Sequence, residues 1–323
     1  MIANTVLVLT SEEDSTADLV IDELRKREAS IVRMDTGDFP TGLRLSAHIS
    51  DEGWRGRIDG DDAAVDLSQV EAVYYRRPTR FVLPEGMSDG DAVFATVEAR
   101  LGFGGVLAAL DTRWVNHPHR VAAAEYKPVG LRAATRCGLR VPRTLITNDH
   151  ATLVEFAATV GGPVICKTLG SVVLTEGSEP LMTYTTRIDP EAVDPAQLAA
   201  TAHLIQARVP KAFEVRVTMV GRTSLAVAIH ADSDRGREDW RGDFASLRYE
   251  IMNTPPQVAG QMAAYMDVLG LLYCAFDFVV DPDHLWWFLE GNPMGQWGWL
   301  QEETGAPIAA TLADLLVNGT GTC

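Results

Sequence analysis

Four cysteines, Cys137, Cys166, Cys274 and Cys323, are scattered through 323 residues with no Cys-x-x-Cys pair. Neither a disulfide framework nor a structural zinc site is expected, and they read as free thiols of a reducing compartment. Cationic charge is also scarce. Against 44 Asp and Glu stand 28 Lys and Arg, a formal net charge of −16, so the field of the whole chain repels nucleic acid and anionic membranes. A phosphate ligand therefore needs a local basic pocket. No window approaches the ~18 uninterrupted apolar residues of a membrane helix. The apolar start lacks a basic flank and runs into Ser11-Glu12-Glu13-Asp14, so it reads as a first strand rather than a signal peptide. A cytoplasmic protein with no nucleic-acid or membrane partner is expected. There is no GxxxxGK[ST] loop, no internal repeat and no low-complexity tract. His117, His119, His203, His230 and His284 show no ligand spacing.

What is present is an α/β pattern of about two domains' length. Thr5 to Leu9 is a buried-strand run, Ser15 to Arg27 has helical spacing, and Ile31 to Met34 is a second strand, which together open a doubly wound sheet. A small antiparallel meander is expected over Leu43 to Leu67, a return strand over Val73 to Arg77, and one long helix over Ser88 to Leu110. After a boundary near Pro118 come a helix over Val121 to Gly138 and a strand over Val141 to Ile146. A helix capped by Asn148 or Asp149 follows, then a strand ending at Lys167, a Gly/Ser-rich loop, and a strand over Leu181 to Thr186. Strands over His203 to Val209, Phe213 to Val220, Leu225 to His230, Leu272 to Val280 and Leu285 to Glu290 fill the last third, with helices near Gln257 to Gly270 and Ile308 to Val317.

The residues that suggest chemistry lie in the last two segments. Asp277 stands between Phe276 and Phe278, and an acid in an apolar run is costly unless paired or metal-bound. If that run forms a hairpin with Leu285 to Glu290, then Asp277, Glu290 and the Asn292 carbonyl converge on one divalent cation; hard oxygens of this kind suit magnesium held on nucleotide phosphates. The alternative is two acids that meet only solvent. Lys167 closes an apolar strand just before the Gly/Ser-rich loop, and Lys127 lies on the preceding helix; each alone also reads as a surface lysine. The strand Leu204 to Val209 breaks at Pro210, where backbone groups can meet an adenine edge. Arg216 in Glu214-x-Arg216 can grip a phosphate or carboxylate, or stand exposed on an edge strand.

Lys127, Lys167, Gln206 to Val209, Glu214-x-Arg216, Asp277 and Glu290-x-Asn292 follow one another as they do in ATP-grasp ligases, which the chain resembles over nearly its whole length. Tyr74-Tyr75-Arg76-Arg77-Pro78, Asn116-His117-Pro118, Asp239-Trp240-Arg241 and Asn292-Pro293-x-Gly295-Gln296-Trp297 are similar, more narrowly, to the ribosomal-peptide maturases of the microviridin or graspetide class. The resemblance implies a three-part ATP-grasp fold of class α/β. Residues 1–118 would be a doubly wound pre-ATP-grasp domain, 119–202 the central part with the phosphate loop and the leader-docking surface, and 203–323 the part with the hinge and the metal ligands. It implies ATP and Mg2+ as cofactors. Lys127 and Lys167 would hold phosphates, Gln206, Ala207 and Val209 the adenine, Lys211 the ribose, and Asp277, Glu290 and Asn292 the magnesium, with Asn292 also at the nucleotide. Arg216 and Lys167 would act on the transferred phosphoryl group. Ala207 replaces the family's usual acid after the hinge Gln, and Met294 its usual Asn.

The implied reaction activates an Asp or Glu side chain of a ribosomal precursor peptide, bound by leader and core, as an acyl phosphate. A Thr, Ser or Lys side chain then closes an ω-ester or ω-amide ring, and a homodimer is the implied assembly. Arg77, Arg216, Trp240 and Arg241 are the expected substrate contacts, although Arg76 and Arg77 also suit ion pairs with Glu71 or Glu98 that join domains. An ATP-grasp ligase for free amino acids or small peptides, or a nucleotide-responsive peptide-binding protein without turnover, would share much of this pattern.

Overall fold

The computed structural model describes residues 5–170, 174–176, 179–181, 185–233, 236 and 239–319. Cys323, residues 171–173 and 177–178 of the expected phosphate loop, and residues 182–184 of the expected strand Leu181 to Thr186 lie outside these. Among the described residues no helix is long and apolar enough to cross a membrane.

The apolar run Thr5–Leu9 is a fully buried strand, flanked in a parallel sheet by Ser30–Met34 on one side and by Val70–Tyr75 and Arg113–Val115 on the other. Asp14 caps the connecting helix Ser15–Lys26 by accepting from the backbone N–H groups of Thr16 and Ala17. The meander forms as Leu43–Ser50, Gly53–Gly60 and Ala64–Asp66. The long helix expected over Ser88 to Leu110 is interrupted: Asp89–Glu98 passes through a wider-wound stretch, Ala99–Phe103, into Gly104–Ala108. Gly102, Gly104 and Gly105 crowd that region, and glycine holds helical geometry weakly.

The helix expected over Val121 to Gly138 is two helices, Pro118–Ala124 and Lys127–Arg136. Pro128 is the reason. It cannot donate to the preceding turn and is tolerated only in a first turn, so the chain restarts at Lys127, which thereby sits at a helix N-terminus instead of mid-helix. Past the helix His150–Val160, whose N-cap is Asp149, a four-stranded antiparallel sheet forms in the order Thr186–Ile188, Val164–Lys167, His203–Ala207, Thr144–Thr147. The strand His203–Ala207 thus pairs within this central sheet, and the chain crosses to the next sheet only after it. Glu179–Leu181 pairs with Leu174–Glu176 rather than continuing into Thr186.

The third sheet is antiparallel and runs Leu247–Met252, Thr223–Ala231, Phe213–Val220, Tyr273–Val280, Trp286–Asn292. The strand Leu247–Met252 and the helices Pro195–Ala199 and Gly298–Thr304 have no counterpart in the sequence reading. One face of this sheet buries Phe276, Phe278 and Phe288 with Tyr265 and Met266 of the helix Pro256–Leu269. The last helix, Ile308–Asn318, packs Leu312 and Leu316 with Val20 and Leu24 of the first helix and with Trp297. The N-terminal sheet is therefore anchored to the third sheet's side of the molecule by a shared apolar core.

Candidate active site

A cleft of about 750 Å3 is lined by residues of the central and third sheets and of the helix Lys127–Arg136. Every one of the thirteen residues expected to bind nucleotide, metal or substrate lines it: Arg77, Lys127, Lys167, Gln206, Ala207, Val209, Lys211, Arg216, Trp240, Arg241, Asp277, Glu290 and Asn292.

Its centre is a cross-strand row. Arg216 lies opposite Asp277 on one side of the strand Tyr273–Val280, and Glu290 lies opposite Asp277 on the other. Opposed residues in antiparallel strands project to one face. The same alternation sends Phe276 and Phe278 into the core behind, 0% and 1% exposed. A register shift between Asp277 and Phe278 brings Glu290, rather than Leu289, opposite Asp277. Asn292 Nδ2 donates to Asp277 Oδ2 at 3.2 Å and to Glu290 Oε1 at 3.4 Å, so two carboxylates and one amide meet at a point. Rotating the amide by 180° exchanges its nitrogen for its oxygen and turns the group into three hard oxygen donors. That donor set fits Mg2+, which takes a few protein oxygens and completes its shell with phosphates and water. Among the described residues no cluster of three or more His, Cys, Asp or Glu offers a competing metal site.

The charges around this row are uneven. Burial drives the Asp277 carboxyl up to about 6, against the pull of Arg216, whose Nε lies 3.5 Å away. Burial also pushes Glu290 upward, but Lys127 and Lys167 outweigh it and hold Glu290 well below the usual carboxylate range. Lys127 Nζ reaches Glu290 Oε2 at 2.9 Å from the first turn of its helix. Lys167, at the end of its strand, is lowered by burial and partly restored by Glu290. Among the described residues its strand end and Thr168 to Gly170 form the loop side of the cleft.

At the hinge, Gln206 is 1% exposed and donates through Nε2 to Thr144 Oγ1 at 2.9 Å, while its Oε1 has no partner among the described residues. Lys211 pairs with Glu214 at 3.0 Å. Burial lifts Glu214 to about 7 despite that lysine. On the opposite wall, Arg241 grips Asp239 with Nε at 2.9 Å and Nη2 at 2.7 Å, and Asp239 also accepts from the Thr185 backbone N–H at 3.1 Å. Burial raises Asp239, but the Arg241 hydrogen bonds prevail and hold it at about 2. The Arg216 guanidinium lies 6.0 Å from the Trp240 ring centre. Trp240 leans in turn on Trp299.

The two arginines of Tyr75-Arg76-Arg77 part company. Arg77 is exposed at the cleft and makes no ion pair among the described residues, while Arg76 is buried. The Arg76 partner is Asp14 at 2.8 Å, not Glu71 or Glu98. Asp14, Glu214, Asp239 and Gln296 are the polar residues that sequence reasoning left without a role. Asp14 had a signal, being the acid immediately before a helix. The other three stood only as members of matching stretches.

Residues 5–122 match the family model of the MvdD pre-ATP grasp domain. No curated protein matches the sequence. Among solved structures, the chain is similar to the RiPP-associated ATP-grasp ligase of Chryseobacterium gregarium in complex with ADP and a leader and core peptide. That match has 23% identity and a TM-score of 0.90, and covers 98% of each chain. It is also similar to the macrocyclase MdnC from Microcystis aeruginosa MRC bound with precursor peptide MdnA, at 28% identity and TM-score 0.83, over 97% of this chain and 99% of that one. The macrocyclase MdnB from the same organism has 28% identity and TM-score 0.80, over 98% of this chain and 100% of that one.

Proposed function

We propose that this chain, which carries the MvdD pre-ATP grasp domain and has the ATP-grasp ligase fold throughout, closes rings in a ribosomal precursor peptide at the expense of ATP. An Asp or Glu side chain of the core attacks the γ-phosphorus. The new O–P bond forms as the bond to ADP breaks. A Thr or Ser hydroxyl, or a Lys amine, then attacks the acyl carbon; phosphate departs with the bonding electrons of the C–O bond and the acceptor's proton is lost. The product is an ω-ester or ω-amide. The observation that carries this reading is the row Arg216, Asp277, Glu290 with Asn292, faced by Lys127 and Lys167. Magnesium held there would neutralise phosphate charge as the phosphoryl group moves.

The chain's own groups have separable tasks in this scheme. Lys127 and Lys167 balance the nucleotide's negative charge; Lys127 is at present paired with Glu290, which would yield to the metal. Gln206 offers its free carbonyl oxygen, and the Ala207 to Val209 backbone its edge, to the adenine amine and ring. Lys211, already tied to Glu214, borders the ribose. Arg216 sits where the transferred phosphoryl and the substrate carboxylate meet. Arg241, fixed by Asp239, and Arg77, exposed and unpaired among the described residues, line the path of an acid-bearing core. The three-part division at 118 and near the hinge, docking of the leader on the central part, and a homodimer belong to the same proposal. Light scattering at twice the chain mass is the expected result for the last.

The test is intact mass and tandem fragmentation of the acid- and Thr-rich precursor peptide encoded beside this gene, after incubation with protein, ATP and magnesium. Loss of one water per ring, dependent on ATP and stopped by chelation, is expected; mild-base hydrolysis separates ester from amide. An unchanged peptide, with ADP released only when free amino acids are supplied, overturns the reading in favour of a small-molecule ligase. Peptide binding without ADP release overturns it in favour of a binding protein.

A further inference from the structure

Gln296 follows the metal-ligand strand by one turn and lines the cleft. Its carbonyl oxygen is claimed by the N-terminal unit: Arg76 Nη2 donates to Oε1, and so does Thr16 Oγ1 at 3.3 Å. A guanidinium has no acceptor, so the end of the amide that faces Arg76 is the oxygen and the orientation is not arbitrary. Arg76 is itself fixed. It is 2% exposed, its Nε donates to Asp14 Oδ2 at 2.8 Å, and Asp14 is held by Thr10 Oγ1 at 2.8 Å and by the backbone N–H groups of Thr16 and Ala17 at 3.2 Å. With its oxygen tied down, the amide must present Nε2 elsewhere, and Nε2 has no partner among the described residues.

The turn that carries Gln296 is anchored just as firmly. Asn116 Nδ2 donates to Pro293 O at 2.8 Å and Tyr273 Oη to Gly295 O at 2.5 Å. A Cβ on Gly295 would stand 2.5 Å from Ala275 Cβ and 3.1 Å from Arg216 Nη2, so the turn packs against the arginine of the cross-strand row, and only glycine permits that approach. Gln296 is thus placed on the Arg216 side of the metal ligands.

We propose that Gln296 contacts the substrate through Nε2, donating to the carbonyl oxygen of the carboxyl group that is activated, and that Arg76 is a positioning residue which aims this donor from the N-terminal domain. The proposal rests on the ligase reading above. A free N–H beside the acyl carbon stabilises the charge that collects on its oxygen when the acceptor attacks. It also gives the buried Arg76–Asp14 pair a purpose beyond joining domains.

Gln296→Glu separates this from a structural role, because it keeps an oxygen for Arg76 at the same size while replacing the N–H donor with a charged acceptor. Gln296→Met removes the donor without adding charge. Ring formation on the precursor peptide, with kcat and the peptide KM resolved, is measured beside ADP affinity and thermal unfolding. Both variants are expected to lose about 10²-fold in kcat/KM for peptide, the scale of one lost donor of this kind, with ADP affinity held; the unfolding temperature holds for Gln296→Glu and falls for Gln296→Met, which also strips the buried Arg76 of an acceptor. Arg76→Lys, whose compact ammonium lacks the rigid fork by which Nε holds Asp14 and Nη2 holds Gln296, is expected to lose about tenfold, the partial effect of a misaimed donor. Native activity within twofold for folded Gln296→Glu or Gln296→Met overturns the proposal, as does an equal loss of ADP binding. Wild-type protein that forms no rings overturns the ligase reading instead.

Discussion

The Arg76–Asp14 pair allows the clearest stability measurement. Both side chains are nearly solvent-free, 2% and 5% exposed, with Nε and Oδ2 at 2.8 Å. Asp14→Asn retains an oxygen for the helix N-cap but sets an N–H against the guanidinium. The loss is then that of a buried charge stripped of its partner, about 3–5 kcal/mol. Arg76→Met should cost less, because Asp14 keeps Thr10, Thr16 and Ala17 as donors. In the double variant no buried charge is orphaned, so its loss should fall below the sum of the singles by about 2 kcal/mol. An unfolding entropy of about 2.1 cal/mol/K per residue gives ~0.7 kcal/mol/K for the whole chain, so Asp14→Asn should lower the melting temperature by about 4–7 °C in calorimetry. A shift under about 1 °C, or singles that simply add, would refute the claim that the pair is a dry, coupled contact.

Asn292→Ala should cut ring formation by ~10² or more and raise the magnesium needed for half-maximal rate, with peptide binding retained; full activity in that variant would remove Asn292 from the metal site. Glu214, raised from 4.5 to about 7 by burial, keeps in the folded state a proton that the unfolded chain releases. Its contribution is present below pH 4.5 and is lost as pH rises through 7, by up to about 3 kcal/mol. Glu214→Gln should therefore gain in melting temperature over the native protein between pH 5 and pH 8, and parallel curves would contradict this. Tyr265 Oη is buried without a hydrogen bond among the described residues, and it would stand 2.9 Å from a Cβ on Gly130. Tyr265→Phe should stabilise the protein by about 1 kcal/mol. Gly130→Ala should destabilise the native protein but be tolerated beside Tyr265→Phe, as denaturant melts of the four combinations would show.

Strands such as Thr5–Leu9 and Phe213–Val220 were readable from sequence because each is a continuous run with one periodicity. The break before Lys127 was missed because a helical pattern extends across Pro128, and the proline's steric veto acts on the turn behind it. The strand Leu247–Met252 alternates half-buried and exposed positions at a sheet edge, where the apolar signal is weakest. Glu214 and Lys211 lie three residues apart, yet nothing in that spacing announces the burial that lifts the carboxyl.

By itself the sequence determined what is local or carried by composition. The hairpin places Asp277, Glu290 and Asn292 on two adjacent strands, although strict alternation from the turn would set Glu290 on the face of Phe288, and only the register shift beside Asp277 brings the two acids opposite each other. A net charge of −16 requires that any anion be met by a pocket of lysines and arginines gathered for it. Tertiary structure alone decided which distant groups complete that end: Arg216 beside Asp277, Lys127 on Glu290, and Arg76 reaching from the first sheet to Gln296. Those choices depend on sheets and helices docking through an apolar core. A buried charge takes the partner that docking brings within hydrogen-bond reach, and local pattern carries no record of which one that will be.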